Sequence, residues 1–164
     1  MLTSAALIIF VIEAQIPIPL PVPGAKLGLS NAVTLFALFY RGDEKRSAPS
    51  LGLSGAFSVL VCRILLGALF TGRIVSFIYS ITGGLLGFAA QAAMKRFVTS
   101  KQIWACGAVG AVFHNVGQIA AAVIVTGTPA IAAYLPVLIV VGIVTGVTTG
   151  LIAQFSLSRI SIDN

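Results

Sequence analysis

Long apolar runs, each ended by glycine, proline or a short charged turn, account for almost the whole chain. Residues 2–16 read as a short first span. At 1.5 Å per residue it rises about 22 Å, against a hydrocarbon core of about 30 Å. Either the following proline segment completes the crossing or the helix continues upstream of Met1. Pro17, Pro19, Pro21 and Pro23 remove backbone donors and fix φ, so no helix runs through them. The segment 17–31, PIPLPVPGAKLGLSN, therefore predicts an extended cap folded over a polar pocket. A second short span, 27–40, ends at the charged turn Arg41-Gly42-Asp43-Glu44-Lys45-Arg46. A third, 51–70, carries a single full charge, Arg63. The fourth, 74–94, places Ser76, Tyr79, Ser80 and Thr82 ahead of Gly83-Gly84 and Gly87. The fifth, 103–126, holds the single histidine in FHNVGQ, and Gly127-Thr128-Pro129 turns the chain into a long sixth span, 130–157.

Composition fixes the class. The chain is 58% hydrophobic and 9% charged, with mean hydropathy +1.07, whereas roughly a quarter of a soluble domain is charged. The expectation is an all-α integral membrane protein, residues 1–164 forming one six-helix transmembrane domain. Arg41, Lys45, Arg46, Lys95, Arg96, Lys101 and Arg159 share one side of such a bundle. That side is cytoplasmic by the distribution of basic residues, with both termini there and the proline cap outside. The N-terminus lacks the basic region and cleavage site of a signal peptide. Cys62 and Cys106 lie singly in apolar runs and read as small core residues. No nucleic-acid partner is expected; the partners are the bilayer and a small molecule.

Polar groups gather on the outer side: Glu13, Gln15 and Lys26 in or near the cap, Asn31, Arg63, Ser76 and Tyr79. His114, Asn115 and Gln118 fall within one turn, and 114 and 118 share a helix face. Each has more than one reading. Glu13 is an interfacial carboxylate, a pocket residue or a partner for Lys26. Arg63 is an anion-facing group, a structural pair or a snorkelling side chain. His114 is a hydrogen-bonded tie between helices or a ligand contact; no second His, Cys or acid lies at metal-ligand spacing. Lys26, Asn31 and Arg63 suit an anionic or carbonyl group, and His114, Asn115 and Gln118 a polar head. Tyr79 and Tyr134 are placed to stack on a flat moiety.

Catalytic constellations are missing from the sequence. Prenyl or phosphate chemistry with magnesium needs clustered carboxylates. Asp43 and Glu44 are the one adjacent pair, and they sit among bases in a turn. There is no P-loop and no nucleophile–base set. The expectation is therefore no enzyme, no metal and no cofactor. Gly142, Gly146 and Gly150 form overlapping GxxxG units, and Gly83 with Gly87 another. Such stripes pack helices within a bundle or dock a second membrane subunit.

PGAKLGLSNAVTLFALFYRG, SFIYSITGGLLG, GAVGAVFHNVGQ and TGTPAIAAYLPVLIVVGIVTG, in that order, resemble one small bacterial membrane family. It is called the Gx transporter family, or heptaprenyl diphosphate synthase component I, and the likeness runs from about Ile12 to Gln154. The family looks like the substrate-binding S-components of energy-coupling factor importers. The resemblance implies an outer pocket under the loop between helices one and two. It also implies a membrane coupling subunit, two cytoplasmic ATPase subunits and a bacterial cell membrane. The ligand would be a vitamin-like, cofactor-like or isoprenoid- or quinone-related compound. S-components often dock through alanines four apart on helix one; here Ala5 and Ala6 are followed by Ile9 and Phe10, so either an upstream turn carries that face or docking uses another surface such as the Gly142–Gly150 stripe. The synthase label implies an alternative, a non-catalytic membrane subunit associated with a polyprenyl diphosphate synthase.

Overall fold

The computed structural model describes residues 4, 6, 8, 9, 11, 12, 29–42, 50–72 and 74–162. Glu13, Gln15, the proline cap, Lys26, the acidic pair Asp43-Glu44 and Arg73 lie outside the described residues. The described residues of the N-terminal stretch are helical. Five further helices follow: α1 (Asn31–Phe39), α2 (Gly52–Thr71), α3 (Ile74–Met94), α4 (Ile103–Thr126) and α5 (Leu135–Ile162), with a 3-10 turn at Pro129–Tyr134. No strand occurs among the described residues.

Helices α2 to α5 are long and apolar enough to cross a bilayer. Helix α1 is not. Its nine residues rise about 14 Å, half a hydrocarbon core. It is apolar almost all round, with Ala32, Val33, Thr34, Leu35, Ala37 and Leu38 buried, as a helix enclosed by others must be. Val33, Leu35, Ala37 and Leu38 form the central core with Ala6, Ala56, Val59, Ile103, Cys106 and Ala153.

The sequence places α3 and α4 where the structure has them. Helix α2 is shifted by one residue. The second span starts at Asn31 rather than 27, after a turn at Leu29-Ser30. The sixth span is corrected more. Pro129 opens a 3-10 turn, and the α-helix begins only at Leu135, with Pro136 in its first turn, where a missing N–H costs nothing. Gly72 and Gly127 take left-handed conformations at the ends of α2 and α4, with φ of 61° and 64°. Their amides donate to Ala68 and Val123 carbonyls at 2.9 Å.

Helices α3, α4 and α5 approach through glycine. A Cβ on Gly117 would lie 2.7 Å from the Thr82 carbonyl oxygen, and one on Gly87 2.8 Å from that of Gly110. On α5, Gly142 meets Asn115 and Ala111, Gly146 meets Gly107 and Ala108, and Gly150 meets Trp104. The Gly142–Gly150 stripe is thus the internal contact between α5 and α4. Without hydrophobic drive between helices in lipid, this closeness supplies dispersion contact.

Candidate functional site: a polar cluster inside the bundle

Ser30 occupies the N-cap of α1, where a serine normally accepts a bond from the first-turn amides. It makes no such cap bond. Its hydroxyl oxygen instead accepts from Nη1 of Arg63. Nη2 of Arg63 donates to Oδ1 of Asn31 at 3.0 Å. Arg63 is 2% exposed and lies near the middle of α2, so a cation is held at mid-depth by the start of the half-length helix. The positive end of the α1 dipole faces the guanidinium there, making this level of the bundle electropositive.

Helix α3 passes beside Arg63 as backbone. A Cβ on Gly84 would sit 3.9 Å from Nη2 of Arg63, with Ile64 and Leu60 nearer. Gly83, one residue earlier and about 100° round the helix, faces α4 instead. A Cβ there would lie 2.8 Å from the His114 carbonyl oxygen, 2.9 Å from Cγ of Gln118 and 3.0 Å from Cε1 of His114. The glycine pair brings the arginine group and the His114–Gln118 pair to two sides of one thin helix.

His114 Nε2 and Gln118 Nε2 are 2.9 Å apart. The amide nitrogen only donates, so a neutral ring accepts at Nε2 and carries its hydrogen on Nδ1. Nδ1 of His114 and Oε1 of Gln118 are buried and make no hydrogen bond of good geometry, the imidazole having only a poorer contact to the Gly83 backbone. With the amide rotated the two roles exchange. In both arrangements the pair presents one donor and one acceptor without a well-formed bond. Leaving buried polar atoms unmet costs about 1–3 kcal/mol each.

The remaining sequence candidates fall elsewhere. Asn115 faces α5, its Nδ2 donating to the Leu138 carbonyl at 2.6 Å. Tyr79 is buried in a second apolar cluster with Ile119, Ala121, Ala122 and Leu138. Tyr134 is 44% exposed on the 3-10 turn. Lys26 lies outside the described residues. Two groups escaped the sequence reading. Ser30 holds Arg63, and Thr34, one turn further along α1, is buried with its hydroxyl oxygen unpartnered. The spacing 30, 31 and 34 on one helix face was the available signal.

At the other end of the bundle, Nζ of Lys95 donates to the Leu38 carbonyl at 2.7 Å and lies 5.8 Å from the centre of the Phe39 ring. It fills an orphan carbonyl at the C-terminus of α1, where the dipole favours a cation. Nearby, Oε1 of Gln154 accepts from the Ile103 amide at 3.1 Å and closes the first turn of α4.

Comparisons with curated proteins and with solved structures returned no match. The sequence profile of one family matches residues 2–156, enclosing α1 to α4, most of α5, and both the PGAKLGLSN and HNVGQ blocks. The chain is a membrane protein with an arginine buried at mid-bundle, and it belongs to the family described as heptaprenyl diphosphate synthase component I.

Proposed function

We propose that this chain is a non-catalytic membrane subunit that captures a small compound within its bundle, as a substrate-binding component of an energy-coupling importer does. The observation that carries the reading is the buried cluster of Arg63, Ser30 and Asn31 beside His114 and Gln118, two of whose polar atoms make no hydrogen bond of good geometry. Intramembrane ionisable groups are costly and mark ligand or ion sites. Arg63 and Asn31 would take an anionic or carbonyl group, and His114 with Gln118 a group offering both a donor and an acceptor. Lys26 would close the site from the cap. A coupling subunit and two cytoplasmic ATPase subunits in a bacterial cell membrane would complete such an importer.

The test is to purify the protein in mild detergent from its native host and identify retained small molecules by mass spectrometry. A stoichiometric cofactor-like compound, lost in Arg63→Gln, is expected. Retention equal in wild type and Arg63→Gln would overturn the site.

A second reading rests on the description of the family, which names a component of a polyprenyl diphosphate synthase. The chain would then be the membrane partner of a soluble synthase. Co-purification with that enzyme, and an empty bundle, would favour it over import; coupling and ATPase subunits in the same pull-down would favour import.

A further inference from the structure

A large cavity lies away from the arginine cluster. It opens at the Lys95 end, with a volume of about 1560 Å³, beyond the ~300–1,000 Å³ usual for small-molecule sites. Three cations line it, Arg41, Lys95 and Lys101. Phe155, which also lines it, has the guanidinium carbon of Arg159 4.9 Å from its ring centre. Lys95 is already engaged with α1. Arg41 and Lys101 are exposed, and neither side chain has a partner among the described residues.

Apolar side chains line the cavity as well. Leu151, Ile152 and Phe155 of α5 line the cavity and are 48%, 55% and 61% exposed on the outer face of the bundle. Phe39 of α1 also lines it. An occupant would therefore meet two cations without partners among the described residues, and apolar side chains that are exposed on the bundle surface. A free metabolite anion would leave the apolar side chains unused, and a neutral lipid would leave the cations unused. Basic pockets between helices at one membrane face bind phosphate-bearing lipid headgroups.

We infer that the cavity at the Lys95 end binds an amphiphile with a phosphate or diphosphate head and a hydrocarbon tail. The head lies on Arg41 and Lys101, and the tail runs along Leu151 and Phe155 toward the bilayer. This site is separate from the Arg63–His114 cluster, and neither assignment depends on the other.

The test uses the full chain in phosphatidylcholine nanodiscs with two probes, phosphatidylglycerol and farnesyl diphosphate, read by native mass spectrometry. One bound copy of at least one probe, retained over phosphatidylcholine, is expected; which probe it is identifies the source as bilayer phospholipid or isoprenoid. Arg41→Gln with Lys101→Gln should weaken retention roughly thirtyfold, from two lost cations near the surface. Arg96→Gln, exposed at the same end but outside the cavity, should change it little. Equal losses in both variants would mean general attraction to a positive surface and would overturn the site, as would no preference for either probe. The wild-type protein supplies a second readout, since a specific amphiphile must raise its melting temperature with concentration. No rise with either probe would also overturn the inference.

Discussion

Gly83 and Gly84 are neighbours in sequence, yet alanine should act differently at each. At Gly83 the new methyl would sit 2.8 Å from the His114 carbonyl oxygen and 2.9 Å from Cγ of Gln118, where ordinary contact begins at 3.4 Å. A backbone oxygen inside a helix cannot turn aside, so α3 and α4 must part by roughly half an ångström, forfeiting about a quarter of the dispersion between paired atoms. Overpacking of this kind costs about 1–3 kcal/mol, and the better helix propensity of alanine returns up to about 1 kcal/mol. A net loss of about 1–2 kcal/mol is expected for Gly83→Ala. At Gly84 the methyl would meet Cδ1 of Ile64 at 3.0 Å and Cδ1 of Leu60 at 3.3 Å, both ends of flexible side chains. Gly84→Ala should fall within about 0.5 kcal/mol of wild type, as substitutions without a destabilising mechanism do. The assay is equilibrium unfolding in mixed micelles of mild and denaturing detergent, followed by circular dichroism. Equal destabilisation by the two variants, or the larger loss at Gly84, would refute the assignment of the two faces.

Three further outcomes follow from the same contacts. Arg63→Lys keeps the charge but loses the fork that bonds Ser30 and Asn31 together; retention of the co-purifying ligand should fall at least roughly tenfold, and unchanged retention by mass spectrometry would count against the Proposed function. Asn115→Ala removes the bond to the Leu138 carbonyl, and membrane hydrogen bonds of this type average about 0.6 kcal/mol with a maximum near 1.7. Unfolding free energy should fall within that span, and a loss above about 3 kcal/mol would show a different role. Gln154→Leu frees the Ile103 amide. A lost helix cap costs about 1 kcal/mol, so amide hydrogen exchange in the first turn of α4 should quicken severalfold, and unaltered protection there would refute the capping role.

Helices α3 and α4 were legible because polar punctuation brackets their apolar runs, Arg73 and Lys95 for one and Lys101 and Gly127 for the other. The final run lacks such marks, so the 3-10 turn at Pro129–Tyr134 merged with the helix behind it; Pro136 was the residue to weigh. The second span looked longer because Leu27 and Leu29 continue its hydrophobicity, and hydrophobicity does not report where a buried helix starts. Among site residues, the joining of Asn31 to Arg63 and of His114 to Gln118 agrees with residue type and helical spacing. The placement of Asn115 against α5 was not readable, since one turn of helix spreads three polar residues over different neighbours. Nor was the division of Gly83 from Gly84, which depends on three helices at once. The basic residues at the Lys95 end read in sequence as topology markers; only the fold gathers Arg41 and Lys101 around one cavity.

Helix α1 is fastened at both ends by cations from different neighbours. Arg63 of α2 holds Ser30 and Asn31 at its start, and Lys95 at the end of α3 holds Leu38 near its finish. The two fastenings are electrically unequal, because the lysine meets the negative end of the dipole and the arginine the positive end. An anion competing for Arg63, as proposed above, would act on the fastening that the dipole opposes, while the Lys95 bond stayed made. Any movement that preserves that bond is a swing of α1 about Leu38 rather than a slide along the membrane normal, and the short helix is mechanically a lever with its pivot at the Lys95 end.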